Sequence, residues 1–146
     1  MSSYKDKIAQ IQSLGVLAPP LRGQVADILA GISQTRVLRK GEQLYAEGAE
    51  DPNTGAILVD GTLLVAAGTR ETVTVTAPEL LGEMQQYNAY GARTATVCAK
   101  DTATVLEFSW HDFVARIKDR PNINHADHAH IRDALEKVAG DRFKLL

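Results

Sequence analysis

With a single cysteine among 146 residues, no internal disulfide can form. Cys98 falls in the strand-like stretch 94–99, where a small thiol is expected to be buried and inert. Charge of one sign is also lacking. Sixteen Lys and Arg against eighteen Asp and Glu leave a net charge of −2, so no large electrostatic term favours DNA, RNA or an anionic membrane surface. No apolar run approaches the roughly 20 residues a membrane helix needs, and residues 1–10 are too polar for a secretory signal. The expected location is the cytoplasm, with no membrane partner.

What is present is ordinary for a globular protein: 45% hydrophobic and 23% charged residues, enough to enclose one core. One domain is expected over residues 1–146. Its parts are N-terminal helices over 1–33, a β-roll over 34–108, and two helices over 109–146.

The hydrophobic period supports this division. Tyr4, Ile8 and Ile11 recur at helical spacing, as do Leu21, Val25, Ile28, Leu29 and Ile32 after Pro19-Pro20. From about Gln34 the period becomes two, and short apolar or Thr-rich runs alternate with turn residues. Asp60-Gly61, between 56–59 and 62–65, predicts a two-residue hairpin. Further strands are expected over 71–76 and over 94–108, the latter broken near Lys100-Asp101. Ser109, three residues before Asp112, predicts a helix N-cap; Phe113 and Ile117 form its apolar stripe up to Pro121. A longer helix carries Ile123, Ile131, Leu135 and Val138 as far as Gly140.

The candidate site lies between the β runs. Leu81-Gly82-Glu83-Met84-Gln85-Gln86 precedes a stretch rich in Tyr, Asn and Gly, and Arg93-Thr94-Ala95-Thr96-Val97 follows. Gly82 allows close backbone approach, and a helical turn after it would aim unpaired N–H groups at an anion. Arg93 adds a planar fork that bonds two phosphate oxygens at once, which Lys cannot copy. Taken alone, these residues permit a plainer reading: Glu83 stabilises the start of a short helix, and Arg93 is a surface residue or pairs with Glu83.

This arrangement over 81–97 resembles the phosphate-binding cassette of the cyclic-nucleotide-binding domain family. Lys40-Gly41-Glu42-Gln43, Glu47-Gly48 and Val59-Asp60-Gly61 look like that family's turns, and Trp110-His111-Asp112-Phe113 looks like the start of its hinge helix. The resemblance runs from about Ile11 to Val138. It implies a mainly β fold, a jelly-roll-like double-stranded β-helix with flanking helices, that binds cAMP or cGMP through Gly82, Glu83, Met84, Gln85, Arg93, Thr94 and Ala95. Glu83 would hold the ribose 2′-hydroxyl, and Ile131 or Leu135 would cover the base as a lid. It further implies a regulatory sensor that signals to a protein partner by rearranging its helices. The apolar stripe on the last helix could alternatively serve a homodimer.

The chain departs from the family's pattern at Gln85 and Gln86, where a small residue and a Leu are usual. Gln85 either crowds the phosphate or adds an amide contact, and Gln86 puts a polar group where an apolar one packs. A second reading follows, in which the pocket is degenerate and the domain is a ligand-independent protein-interaction or scaffolding module.

Other functions find little support. The four histidines are His111, His125, His128 and His130; only His125 and His128 share a helical face, and no Cys or Glu completes a metal-ligand spacing. The span 34–108 holds no His, unlike the metal centre of the similar cupin roll, and no catalytic triad is suggested. No enzyme activity, cofactor or metal is expected. A helix-turn-helix would need more chain after the long helix than is present, so direct DNA binding is not expected either.

Overall fold

In a computed structural model the described residues are 3–50, 52–68, 72–82, 93 and 95–145, with backbone alone for 3 and 137–145. Helix α1 (Ser3–Ala9) leads through a 3-10 turn (Gln12–Val16) into α2 (Pro19–Ile32). Proline suits the first helical position, where its missing N–H has no partner to lose, and α2 begins with two of them.

Eight strands follow: β1 (Gln34–Leu38), β2 (Gln43–Tyr45), β3 (Thr54–Asp60), β4 (Thr62–Ala66), β5 (Val73–Thr76), β6 (Glu79–Leu81), β7 (Thr96–Ala99) and β8 (Ala103–Ser109). They form two four-stranded sheets with antiparallel pairings, ordered β1-β8-β3-β6 and β2-β7-β4-β5. Helices α3 (Trp110–Lys118) and α4 (His125–Leu145) complete the chain.

The first sheet is covered on both faces, which explains why β3 reads as a continuous apolar run. Ile57, Val59, Leu80, Leu106 and Phe108 point to the helices and share a core with Leu14, Val25, Leu29, Phe113 and Ile131. Leu58, Leu81, Ala103 and Val105 point the other way and meet Leu63, Val65, Val75, Val97 and Ala99 of the second sheet. The second sheet alternates, with Leu63 and Val65 buried in β4 and the residues between them only partly so.

Three sequence expectations change. Asp60-Gly61 is not a hairpin turn: β3 pairs with β6 and β8, whereas β4 pairs with β5 and β7. Gly61 instead carries the chain from one sheet to the other, at a φ of 93°. A Cβ there would lie 2.6 Å from the Thr102 carbonyl oxygen and 2.8 Å from Ala103 Cα. Asp-Gly signals positive φ, and a corner between sheets needs that conformation as much as a hairpin does. Cys98 is half-buried rather than buried, because strand alternation turns Val97 and Ala99 inward. Finally, α4 continues past Gly140 to Leu145.

The start of α3 agrees with expectation, whereas α4 begins at His125, so Ile123, expected within the last helix, lies before it. Ser109 caps α3, its Oγ accepting from the Asp112 N–H at 3.3 Å. The start of α4 is held reciprocally: Asn124 Oδ1 accepts from the Asp127 N–H at 2.8 Å, and Asp127 Oδ2 accepts from the Asn124 N–H at 3.1 Å. That is the logic of a capping box, with Asp in place of Glu. Among the described residues, no helix is long and apolar enough to cross a membrane.

Candidate anion-binding site

Of the residues expected at the site, Gly82, Arg93 and Ala95 are described, while Glu83, Met84, Gln85 and Thr94 lie outside the described residues, as does Gln86. Ala95 is buried in the core between the sheets. Ile131 and Leu135 are 5% and 7% exposed and belong to the helix-side core, where α4 packs on the 3-10 turn.

Arg93 is only 7% exposed, so it is not a surface residue. Its backbone is fastened to the Glu47-Gly48 turn: the Gly48 N–H donates to the Arg93 carbonyl at 2.8 Å, and the Arg93 N–H donates to the Ala49 carbonyl at 2.8 Å. That turn is held in place in its own right. Glu47 N–H donates to Thr96 Oγ1 at 3.0 Å, and Glu47 Oε1 accepts from the Gly68 N–H at 2.7 Å.

The guanidinium is positioned as firmly as the backbone. Arg93 Nη2 donates to Thr54 Oγ1 at 2.9 Å and to the Thr54 carbonyl at 3.2 Å. Its central carbon sits 3.8 Å from the centre of the Tyr45 ring, within the range where the electron-rich ring face attracts a cation. The planar group is thus oriented on one face and along one edge.

Gly82 completes the cradle. Its φ of 72° is left-handed, and a Cβ there would lie 2.6 Å from Tyr45 Oη, 2.9 Å from the Thr54 carbonyl oxygen and 3.0 Å from Arg93 Nη1. Glycine is favoured both by the dihedral and by the Tyr45 hydroxyl and Thr54 carbonyl packed against it. The Gly82 carbonyl accepts a 2.6 Å hydrogen bond from the indole N–H of Trp110. Trp110 is 1% exposed and stands edge-on to Phe108 and Phe113, with ring centres 4.7 and 5.7 Å away.

Tyr45, Thr54 and the Trp110 indole were not singled out as site residues by the sequence. Thr54 and Arg93 are 39 positions apart, and no local pattern announces such a contact. For Tyr45 the one available signal is its place just before the Glu47-Gly48 turn.

A β-roll flanked by helices is matched among solved structures. The fold is similar to that of Sp-2Cl-cAMPS-bound PKAR CBD2, at 23% identity and a TM-score of 0.62 over 92% of this chain and 88% of that one. It is similar to the regulatory domain of Toxoplasma gondii PKA with cAMP, at 16% identity and a TM-score of 0.68 over 99% and 50%. It is similar also to Thermus thermophilus catabolite activator protein, at 19% identity and a TM-score of 0.63 over 88% and 56%. The chain has the fold of cyclic-nucleotide-binding domains. It spans about half the length of the last two chains. No family model matches it, and no curated protein does.

In a cyclic-nucleotide-binding fold, the Gly82–Arg93 cradle has the chemistry for a phosphate. A guanidinium held by a ring and a hydroxyl has lost rotamer freedom before any ligand arrives, so an anion binding to it avoids that entropy cost. The missing Cβ at Gly82 lets Tyr45, the Thr54 carbonyl and the guanidinium close on that stretch of backbone.

Proposed function

We propose that this chain is a regulatory domain that binds cAMP or cGMP and passes the binding on to a protein partner by rearranging its C-terminal helices. The reading is carried by one observation: the buried guanidinium of Arg93, stacked on Tyr45 and bonded to Thr54, lies against the bare backbone of Gly82. The fold similarity to cAMP-bound regulatory domains supports it.

In this proposal Arg93 bonds the cyclic phosphate, Glu83 accepts from the ribose hydroxyl, and Met84, Gln85, Thr94 and Ala95 line the remainder. For α4 to act as a lid, Ile131 and Leu135 must leave the helix-side core they now occupy. Ligand must therefore favour the closed arrangement over the open one, by a differential of about 1–3 kcal/mol if it is typical of coupled sites. The role is regulatory rather than catalytic.

Titration of the purified protein with cAMP and with cGMP, by calorimetry and by melting temperature, tests the proposal. A ligand well above its dissociation constant must raise the melting temperature by mass action. No heat and no shift at millimolar concentrations of either nucleotide would overturn it in favour of the ligand-independent interaction module.

A further inference from the structure

The carboxyl ends of α2 and α3 meet at a cleft of about 500 Å³ that shares no residue with the Gly82–Arg93 cradle. Its apolar lining comes from Ile28 and Ile32 of α2 and from Pro121, just after α3. Gly31 joins them with backbone alone. A Cβ there would meet nothing within 4 Å, and its φ is not left-handed. Neither crowding nor dihedral demands glycine at this position; the effect of its missing side chain is to keep the cleft open.

The charges around the cleft are of both signs. Asp27 and Arg120 satisfy each other at 2.7 Å. Arg116 and Asp119 also line the cleft, both exposed, and among the described residues neither side chain has an ionic or hydrogen-bonded partner. They stand three positions apart on one helix end, where closing on each other gains little. Asp119 is moreover the C-cap of α3, so its carboxylate lies at the end of a helix that disfavours anions. The last turn of α2 carries no basic side chain, and its carbonyl end is likewise left without a cation.

This lining sorts ligands by their chemistry. A phosphate meets Asp119 and the carbonyl ends of two helices, whereas a simple cation meets the guanidinium of Arg116. A wholly apolar body would cover both charges without pairing either, which is costly. A molecule that carries a carboxylate and an ammonium on one apolar frame meets neither objection. We infer that the cleft binds a small zwitterion with an apolar side chain, a hydrophobic dipeptide or a bulky free amino acid. Arg116 takes the carboxylate in its two-pronged fork, Asp119 takes the ammonium, and the apolar side chain lies over Gly31 between Ile28 and Ile32. The volume is in the range of small-molecule sites, and occupancy of the cleft requires nothing of the nucleotide site.

The probes are leucyl-leucine and free leucine, with N-acetyl-leucyl-leucine and leucyl-leucine amide as forms that lack one charge each. Calorimetry reads affinity, and 15N amide shifts read location. Leucyl-leucine is expected to bind at millimolar concentration or below and to shift amides of residues 28–32 and 116–120, and each blocked form is expected to bind at least about tenfold more weakly, the worth of one charge-assisted hydrogen bond. In Arg116→Gln the dipeptide and its amide should bind alike, and in Asp119→Asn the dipeptide and its N-acetyl form should bind alike, a pattern that a merely structural role would not produce. Tighter binding of the dipeptide than of leucine assigns the cleft to peptides, and the reverse assigns it to free amino acids. Absence of binding by both at millimolar concentration overturns the inference, as do equal affinities for the blocked and unblocked dipeptides or shifts confined to other parts of the chain.

Discussion

The guanidinium carbon of Arg93 lies over the ring of Tyr45, 3.8 Å from its centre, although the two residues are far apart in the chain. Arg93→Ala is expected to lower affinity for cyclic nucleotide at least 100-fold, about 3 kcal/mol, as loss of a buried charge partner usually does. Tyr45→Leu removes the ring face and keeps an apolar side chain, and is expected to weaken binding by about tenfold or less, in line with one cation–π contact. Calorimetry on both variants, with circular dichroism to establish folding, checks the pair. An Arg93→Ala protein with unchanged affinity would remove the guanidinium from the site.

Gly82→Ala and Gly61→Ala separate two roles of glycine. Both positions have positive φ, so each substitution is expected to cost about 1–3 kcal/mol from backbone strain alone. At Gly61 the new Cβ meets the backbone at Thr102 and Ala103, which cannot move aside, whereas two of the three atoms facing Gly82 are side-chain termini, on Tyr45 and Arg93. Gly61→Ala is therefore expected to be the more destabilising in urea unfolding, and Gly82→Ala the more damaging to nucleotide binding. Equal effects of both on binding would mean that the cradle at Gly82 is not where ligand sits.

Asn124→Ala removes one of the two reciprocal bonds that start α4, the one its Oδ1 accepts from the Asp127 N–H, and leaves the bond from its backbone N–H to Asp127 Oδ2. A lost N-cap costs about 0.5–2 kcal/mol. Because α4 packs on the 3-10 turn through Ile131 and Leu135, fraying its first turn is expected to raise amide exchange across that helix more than in the sheets. Hydrogen exchange read by mass spectrometry measures this, and uniform protection loss in helix and sheet alike would contradict it.

The ion pair between Asp27 and Arg120, at 2.7 Å, ties α2 to the segment just after α3, with Lys5 of α1 3.8 Å from the same carboxylate. The hydrogen bond from Arg120 is the main reason the Asp27 carboxyl titrates below its ordinary value of 3.8; burial opposes it, and the charges of Lys5 and Arg120 assist. A carboxylate whose folded pKa is depressed contributes stability above its unfolded pKa and loses it as pH falls through the folded value. Asp27→Asn is therefore expected to lower stability at neutral pH by about 1 kcal/mol or less, since the groups are exposed. That deficit should begin to shrink as pH falls below about 3.8, the ordinary value, and vanish only once pH is below the lowered folded value. Melting temperatures of both proteins against pH check it, and a deficit that persists in acid would point to a cause other than charge.

Periodicity located the helices around Ile8 and Val25, the change of period at Gln34 and the strands on either side of Lys100-Asp101, and the spacing of Ser109 and Asp112 located the cap of α3. These features arise from interactions within a few residues, which a linear pattern records. Arg93 and Gly82 were legible as a candidate anion site through the resemblance over 81–97, since taken alone they permit the plainer reading of a helix start and a surface cation. The partners of Arg93 were not legible. Thr54 and Tyr45 reach it only because one sheet is laid on another, and the Trp110 indole meets Gly82 only because α3 starts where β8 ends beside β3. Asp60-Gly61 marks the boundary between the two kinds of information: the dipeptide specified a positive φ, but the sheet each flanking strand joined depended on which neighbours, β8 or β7, were free to pair with it. Backbone conformation is decided locally; pairing and burial are decided by long-range competition for partners.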